Sequence, residues 1–173
     1  ERLEAMGYEI PDDELEDIFT RFKKLADEKK TITSSDLEAL TLHRSKIIKP
    51  EESTAPVCQL VSHSITSGSG IPKLSYIKLK KDNDVMEDVE FGAGPLDAAF
   101  KAVNKMLGES ARLEDFSVRA VTEGEDSIGE AVVKISSAAT GEMYTGSGIS
   151  TDIVEASLQA YISGINKMFE AGE

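Results

Sequence analysis

An internal repeat restricts the fold of this chain more than any other feature of its sequence. Three runs with the alternation of β-strands are followed by one run with the spacing of an amphipathic helix, and the same order then recurs. The predicted elements are strands over 57–66, 74–81 and 85–91 with a helix from 95 to 108, then strands over 113–122, 128–137 and 142–147 with a helix that begins near 150–152. The sequence therefore predicts an α+β fold of two pseudo-symmetric βββα units, 57–108 and 113–171, related by a pseudo-two-fold axis.

Short motifs recur at matching places in the two units. Each third strand is predicted to end in Gly-x-Gly, at 92–94 and at 146–148. Each helix is predicted to end in an aliphatic residue followed by Asn-Lys-Met, at 103–106 and at 165–168. Because a three-stranded sheet with one helix leaves apolar surface uncovered, we expect the two units to close over each other and a second chain to cover the remainder.

The third predicted strand shows how burial is expected to divide its two sides. Apolar Val85, Val89 and Phe91 alternate with the more polar side that carries Asp88 and Glu90. Side chains of a strand point alternately to opposite faces of a sheet. We therefore expect the side of Phe91 to be mostly buried and the side of Glu90 to face water.

Residues 1–48 are predicted to form a small helical subdomain that precedes the repeat. An amphipathic helix is expected over 12–30, and a cluster of capping residues at 33–36 indicates a second, short helix. Residues 49–56 are polar and carry two prolines, which is typical of an exposed linker. The apolar residues expected to be buried by these two helices are Leu15, Ile18, Phe19, Phe22, Leu25, Leu37 and Leu40.

Charge and composition exclude several classes of function. The chain has 19 basic and 32 acidic residues and a net charge of −13, so it is expected to repel nucleic acid and anionic membranes. No apolar run is long enough to span a bilayer. Cys58 is the only cysteine and His43 and His63 are the only histidines, which indicates a reducing, cytoplasmic setting and neither a disulfide nor a metal site. No catalytic residue is predicted.

The Gly-x-Gly segments allow two readings. A helix that starts after glycines exposes backbone N–H groups that could hold a carboxylate, and Asp97 or Asp152 could hold an ammonium group, so a free amino acid would fit. Alternatively, the glycines only tighten turns and the aspartates only complement the helix dipole. Leu113, Phe116 and Ala120 could likewise line an apolar pocket or belong to the core. Residues alone leave both readings open.

Three segments carry a family resemblance. Residues 92–100, 113–124 and 146–157 resemble, in the same order, the C-terminal regulatory domain of 2-isopropylmalate synthase and of the related citramalate synthase. Residues 6–40 are similar to the helical subdomain that precedes this domain in those enzymes. The resemblance covers nearly the whole chain.

The resemblance implies a regulatory role without catalysis by this chain. Members condense acetyl-CoA with a 2-oxo acid at a divalent metal in a separate TIM barrel, so no cofactor or metal site is expected here. It implies a homodimer that binds leucine, or isoleucine in the citramalate branch, as feedback inhibitor. A dimerisation module without a ligand and a small complete enzyme are the alternatives. The implied effector-binding residues are Gly94, Leu96, Asp97, Ala98, Leu113, Phe116, Ala120, Gly148, Ile149 and Thr151.

Overall fold

A computed structural model describes residues 12–29, 32–33, 36–37, 39–40, 58–108, 110–122 and 127–172. Within these residues the chain forms one helix ahead of two βββα units, which confirms the predicted fold class. The predicted linker 49–56 lies outside the described residues, as does much of segment 1–48. The elements are α1 (Asp12–Glu28), β1 (Cys58–Thr66), β2 (Leu74–Lys81), β3 (Asp84–Phe91), α2 (Pro95–Met106), β4 (Ala111–Ala120), β5 (Gly129–Ser137), β6 (Met143–Ser150) and α3 (Ile153–Glu170).

The two units share details of sheet geometry that confirm the repeat. Strands β1-β2-β3 form one antiparallel sheet, called sheet A, and β4-β5-β6 form another, called sheet B. A β-bulge follows Leu60 in β1, and another follows Leu113 at the same position in β4. Leu60 pairs with Leu79 and Leu113 pairs with Ile135, which aligns the two sheets strand by strand. α2 packs on sheet A and α3 on sheet B, and the facing sides form one hydrophobic core.

The glycine pairs are not equivalent, and this part of the predicted repeat is wrong. Gly92 and Gly94 lie in the turn between β3 and α2, but Gly146 and Gly148 lie inside β6, which continues to Ser150. A Cβ atom on Gly146 would stand 2.0 Å from the carbonyl oxygen of Ala160, so the backbone of α3 needs glycine there. The second pair therefore serves close packing of helix on strand.

Burial of β3 is the reverse of the expectation. Val85, Val89 and Phe91 are 56%, 47% and 61% exposed on the outer face of sheet A. Asp88 and Glu90 lie on the side that faces α2, and both pair with Lys105 near the end of that helix. Alternation revealed that β3 has two unlike sides, but it could not reveal which side the helix covers.

Both helix-end asparagines bind the opposite unit. Asn166 of α3 accepts a hydrogen bond from the Cys58 N–H at 2.8 Å and donates one to the Cys58 carbonyl at 3.0 Å. Asn104 of α2 accepts from the Ala111 N–H at 3.1 Å. Each helix therefore holds the first residue of the other unit's first strand, which explains the recurring Asn-Lys-Met motif.

The helical segment packs on the outer face of sheet B through a second, smaller apolar cluster. Leu25 and Leu40 meet Ile128 and Ile149 there, whereas Phe19 is 54% exposed and not buried as expected. Of the predicted capping cluster at 33–36, Thr33 and Asp36 are described, and they contact each other. Asp36 accepts hydrogen bonds from the N–H and hydroxyl groups of Thr33, and another from Lys29. Residues 36–37 and 39–40 have helical backbone.

Candidate functional site

One side of β4 is left partly open on the face of sheet B that carries the helix. Pairing with β5 places Leu113, Phe116, Val118 and Ala120 on the same side as the buried residues of β5. α3 packs over β5 and β6 and reaches β4 only at its margin. Leu113 and Val118 consequently remain 44% and 40% exposed.

The start of α2 lies beside this open side of β4. Phe100 contacts Phe116 with ring centroids 6.0 Å apart, and the end of α2 is held at the first residue of β4 by Asn104. The helix therefore runs antiparallel to the strand. Since a helix rises about 1.5 Å per residue and a strand about 3.3 Å, counting from the Phe100–Phe116 contact brings Leu96 level with Val118 and leaves Ala120 beyond the helix start.

We call this region, the open side of β4 together with the first turns of α2, the β4–α2 groove. It combines exposed apolar side chains of the strand with backbone N–H groups at an uncapped helix start, and these two features suit a small molecule with an aliphatic body and an anionic head. Its residues are Gly94, Leu96, Phe100, Leu113, Phe116, Val118 and Ala120.

The N-terminus of α2 has no side-chain cap. Gly94 occupies the N-cap position with extended backbone and Pro95 follows it, so the first-turn N–H groups receive no side-chain acceptor at that position. Asp97 does not face an empty site: its carboxylate accepts 2.8 Å hydrogen bonds from Lys101 and from the Ala93 N–H, and these hold its pKa below the usual value. Both of these hydrogen bonds end on Oδ2 of the carboxylate.

An aromatic row leads from the groove into the core. Phe116 meets Phe100 edge-on, and Phe100 stacks on Tyr161 of α3 with centroids 4.5 Å apart and an interplanar angle of 16°. Tyr161 is only 2% exposed. Phe100 and Val118 were not predicted as site residues. The position of Val118 depends on the register of β4 with β5, and that of Phe100 on how α2 packs.

The remaining predicted site residues do not join the groove. Ala98 is fully buried in the core, and Gly148 lies beneath α3. Ile149 points to the outer face of sheet B, where it packs with Leu25 of α1. Thr151 lies at the same seam between α1 and sheet B.

A cavity of about 80 Å³ lies at this seam. Apolar side chains form its floor, and two basic residues of α1 lie at its margin. Ile149 and Thr151 are thus brought together with each other but on the opposite face of the sheet from the groove. The lining residues are Arg21, Lys24, Leu25, Leu40, Ile128, Ile149, Ser150, Thr151 and Gln159.

An ion pair centred on Glu155 joins α1 to the start of α3. Glu155 pairs with Lys24 of α1 and accepts a 2.6 Å hydrogen bond from the Ser150 hydroxyl. Burial would raise the pKa of Glu155, but the hydrogen bonds from Lys24 and Ser150 outweigh it and lower the pKa. Asp152 caps α3 by accepting from the Val154 N–H at 2.8 Å, so this predicted aspartate serves the helix end.

Other candidates have structural partners. Cys58 is buried in the core, and burial raises the pKa of its thiol to about 11. Tyr144 donates to Glu142. No cluster of metal-binding side chains occurs among the described residues. No described helix is long and apolar enough to cross a membrane.

Comparison with known proteins gives a consistent result. A family model described as the LeuA allosteric (dimerisation) domain matches residues 31–169. The chain is 44% identical to a 2-isopropylmalate synthase of Carboxydothermus hydrogenoformans over 168 residues, which are 97% of this chain and 32% of that protein. It is 40% identical to the enzyme of Ruminiclostridium cellulolyticum over 174 residues (100% and 32%) and 36% identical to that of Pyrococcus furiosus over 168 residues (96% and 32%). The chain spans about a third of the length of these curated relatives.

Proposed function

The chain belongs to the family of LeuA allosteric (dimerisation) domains, and we propose that it is the leucine-binding regulatory domain of a 2-isopropylmalate synthase. In this role it senses the end product of leucine biosynthesis and lowers the activity of a catalytic part that condenses acetyl-CoA with 2-oxoisovalerate. We expect that this chain alone does not catalyse that reaction.

The β4–α2 groove is the observation that carries this proposal. It combines the exposed apolar residues Leu113 and Val118 of β4 with the uncapped start of α2, which lies toward the Val118 end of the strand. A branched aliphatic side chain would lie against β4, and the carboxylate would accept hydrogen bonds from backbone N–H groups of the helix. Six of the ten residues implied by the family resemblance surround the groove or its rim: Gly94, Leu96, Asp97, Leu113, Phe116 and Ala120.

The expected affinity follows from the size of the ligand. Burial of four aliphatic carbons contributes roughly 3 kcal/mol at about 0.8 kcal/mol per carbon, and charge-assisted hydrogen bonds to the head group add to this. Isoleucine has the same number of carbons, so only the shape of the groove can separate the two. Isoleucine as the effector of a citramalate synthase is therefore the second candidate.

Dimerisation completes the proposed site. The open side of β4 and the exposed outer face of sheet A, with Val85, Val89 and Phe91, are more apolar surface than a single chain is expected to leave in water. We infer a homodimer in which a second copy covers part of this surface. The same apolar face is what favours the alternative of a dimerisation module that binds no ligand.

Inhibition requires the bound state to favour one arrangement of the parent enzyme. A coupling free energy of about 1–3 kcal/mol is typical of such regulation. α1 would transmit this shift from the βββα units, because it contacts them through a small apolar cluster and the Lys24–Glu155 pair.

Titration of the isotope-labelled chain with leucine, followed by amide NMR, tests the site. We expect shifts concentrated in β4 and at the start of α2. Val118→Glu should abolish them, because a charge would enter the groove. Ser117→Glu is the matched control, because the neighbouring side chain points to the opposite, exposed face of β4. Equal loss in both variants, or shifts confined to the outer face of sheet B, would contradict the assignment.

A further inference from the structure

The cavity of about 80 Å³ between α1 and sheet B has an apolar floor. Four side chains form this floor, and each is almost completely buried: Leu25 of α1 at 6%, Leu40 at 4%, Ile128 just before β5 at 1%, and Ile149 of β6 at 7%. Since a cavity of about 150 Å³ holds benzene, this cavity accommodates roughly three or four non-hydrogen atoms. The floor therefore suits a short aliphatic group of the size of isopropyl.

The margin of the cavity is polar and includes two basic residues of α1. Arg21 and Lys24 lie on the same side of the helix as Leu25, because residues three and four apart are neighbours on a helix. Lys24 pairs with Glu155, so we assign an anion at this margin to Arg21. A guanidinium offers five N–H donors in a planar fork, and it can hold a carboxylate in addition to another partner. The other polar residues of the margin are Ser150, Thr151 and Gln159.

The cavity is lined from two parts of the molecule. The helical segment supplies Arg21 and Leu25, and the second βββα unit supplies Ile128 and Ile149. A ligand that contacts both parts binds the arrangement in which α1 lies against sheet B and not the arrangement in which α1 has left it. By mass action, such a ligand favours the attached arrangement.

We propose that this cavity is a second ligand site, which binds a short-chain aliphatic carboxylate and thereby holds α1 against sheet B. The aliphatic group packs on the apolar floor, and the carboxylate accepts hydrogen bonds from the Arg21 guanidinium at the margin. The site lies on the opposite face of sheet B from the β4–α2 groove. Binding here therefore does not depend on binding of leucine at the groove.

Amide NMR of the isotope-labelled chain, titrated with sodium isobutyrate, tests the proposal. We expect saturable shifts at Leu25, Ile128 and Ile149, whereas the amides of β4 should keep their positions. Isobutyramide has the same shape as isobutyrate but no charge. It should bind at least about fivefold more weakly, because hydrogen bonds to an ionised acceptor are roughly twice as strong as those to a neutral one.

A pair of variants isolates the role of Arg21. Arg21→Gln should weaken isobutyrate binding by at least about fivefold and leave isobutyramide binding unchanged. Lys23→Gln is the matched control, because it removes the same charge from an exposed residue of α1 that does not line the cavity and lies 4.6 Å above the ring of Phe19. Its isobutyrate affinity should equal that of the wild-type chain.

Hydrogen exchange tests whether the ligand holds the helix. Isobutyrate at ten times its Kd should slow the amides that exchange when α1 leaves sheet B by about elevenfold, which is the factor 1 + [L]/Kd. Isobutyramide at the same concentration should slow these amides less, because it binds more weakly. Amides of α2, which packs on sheet A, should exchange at the same rate with and without isobutyrate.

The outcomes separate the possibilities. Saturable shifts at the cavity, with a loss of affinity in Arg21→Gln but not in Lys23→Gln, support the proposal. A folded chain whose cavity residues do not shift, or whose shifts lie only in β4 and α2, overturns it. Equal affinity for isobutyrate and isobutyramide would show apolar filling without recognition of an anion, and this also overturns it. Unchanged exchange in α1 at saturating isobutyrate would overturn the claim that the ligand holds the helix. None of these results decides whether leucine binds at the β4–α2 groove.

Discussion

Replacement of Asn166 by alanine should destabilise the fold through the opposite unit. The Asn166 amide makes two hydrogen bonds, of 2.8 and 3.0 Å, to the N–H and carbonyl groups of Cys58, a residue that is 2% exposed. Each buried backbone group left without a partner raises the free energy of the folded state by about 1–3 kcal/mol. Asn166→Ala is therefore expected to lower the free energy of unfolding by about 2–5 kcal/mol, because two groups lose their partner.

Asn104 provides an internal comparison. Its amide satisfies one group, the Ala111 N–H at 3.1 Å, and Ala111 is also 2% exposed. Asn104→Ala should therefore lower the free energy of unfolding by about 1–3 kcal/mol, roughly half the effect of Asn166→Ala. Glu170→Ala, at the exposed end of α3, should change it by less than about 0.5 kcal/mol.

Urea unfolding followed by circular dichroism measures these differences, and amide hydrogen exchange shows where they act. Asn166→Ala should accelerate exchange at Cys58 and in β1, although the substitution is in the second unit. If Asn166→Ala were no more harmful than Glu170→Ala, or if faster exchange stayed within α3, the reasoning that the two units are interlocked by these side chains would be refuted.

Three further predictions follow from packing, charge and exposure. Gly146→Ala should lower the free energy of unfolding by more than about 3 kcal/mol, because its Cβ would stand 2.0 Å from a carbonyl oxygen of α3, whereas Gly94→Ser, with open space around it, should be tolerated in urea unfolding. Glu155, whose pKa is lowered in the fold, should contribute stability above its ordinary pKa of 4.5 and lose it as the pH falls through the folded value; Glu155→Gln should remove about 1 kcal/mol at neutral pH and flatten this acid dependence. Phe91→Ser should change the unfolding free energy of a dilute chain by less than about 1 kcal/mol because the ring is 61% exposed, but it should weaken self-association in sedimentation equilibrium.

Local patterns were sufficient to predict the element order and the repeat. Alternating and helical spacings located every strand and helix of both units, and the Asn-Lys-Met motif correctly marked equivalent helix ends. Strand bounds moved by a few residues: β4 begins at Ala111, two residues earlier than expected, and β6 extends to Ser150. Bounds of this kind depend on cross-strand hydrogen bonds, which a single segment does not encode.

Features that depend on strand register or on a neighbouring element could not be predicted from the sequence. The two Gly-x-Gly sequences are alike, but they occupy different positions in the structure. Gly146 packs against the backbone of α3, whereas Gly92 lies in a turn. The sequence of β3 does not show which of its two sides faces α2. The apolar side could pack against a helix, and the acidic side can pair with Lys105 of that helix, as it does in the structure. Ile149 was assigned to the same site as Phe116, yet β6 places it on the opposite face of the sheet. The role of the groove residues in effector binding stays a prediction.

Calorimetric titration of the chain with leucine, with isoleucine and valine as comparators, tests the central claim most directly. We expect saturable binding of leucine, weaker binding of valine by about tenfold for one methylene group, and weak binding of isoleucine because of its branch position. A preference for isoleucine would assign the regulatory domain to a citramalate synthase. Absence of binding by all three amino acids, in a chain shown to be folded and dimeric, would contradict the effector role and leave a dimerisation module.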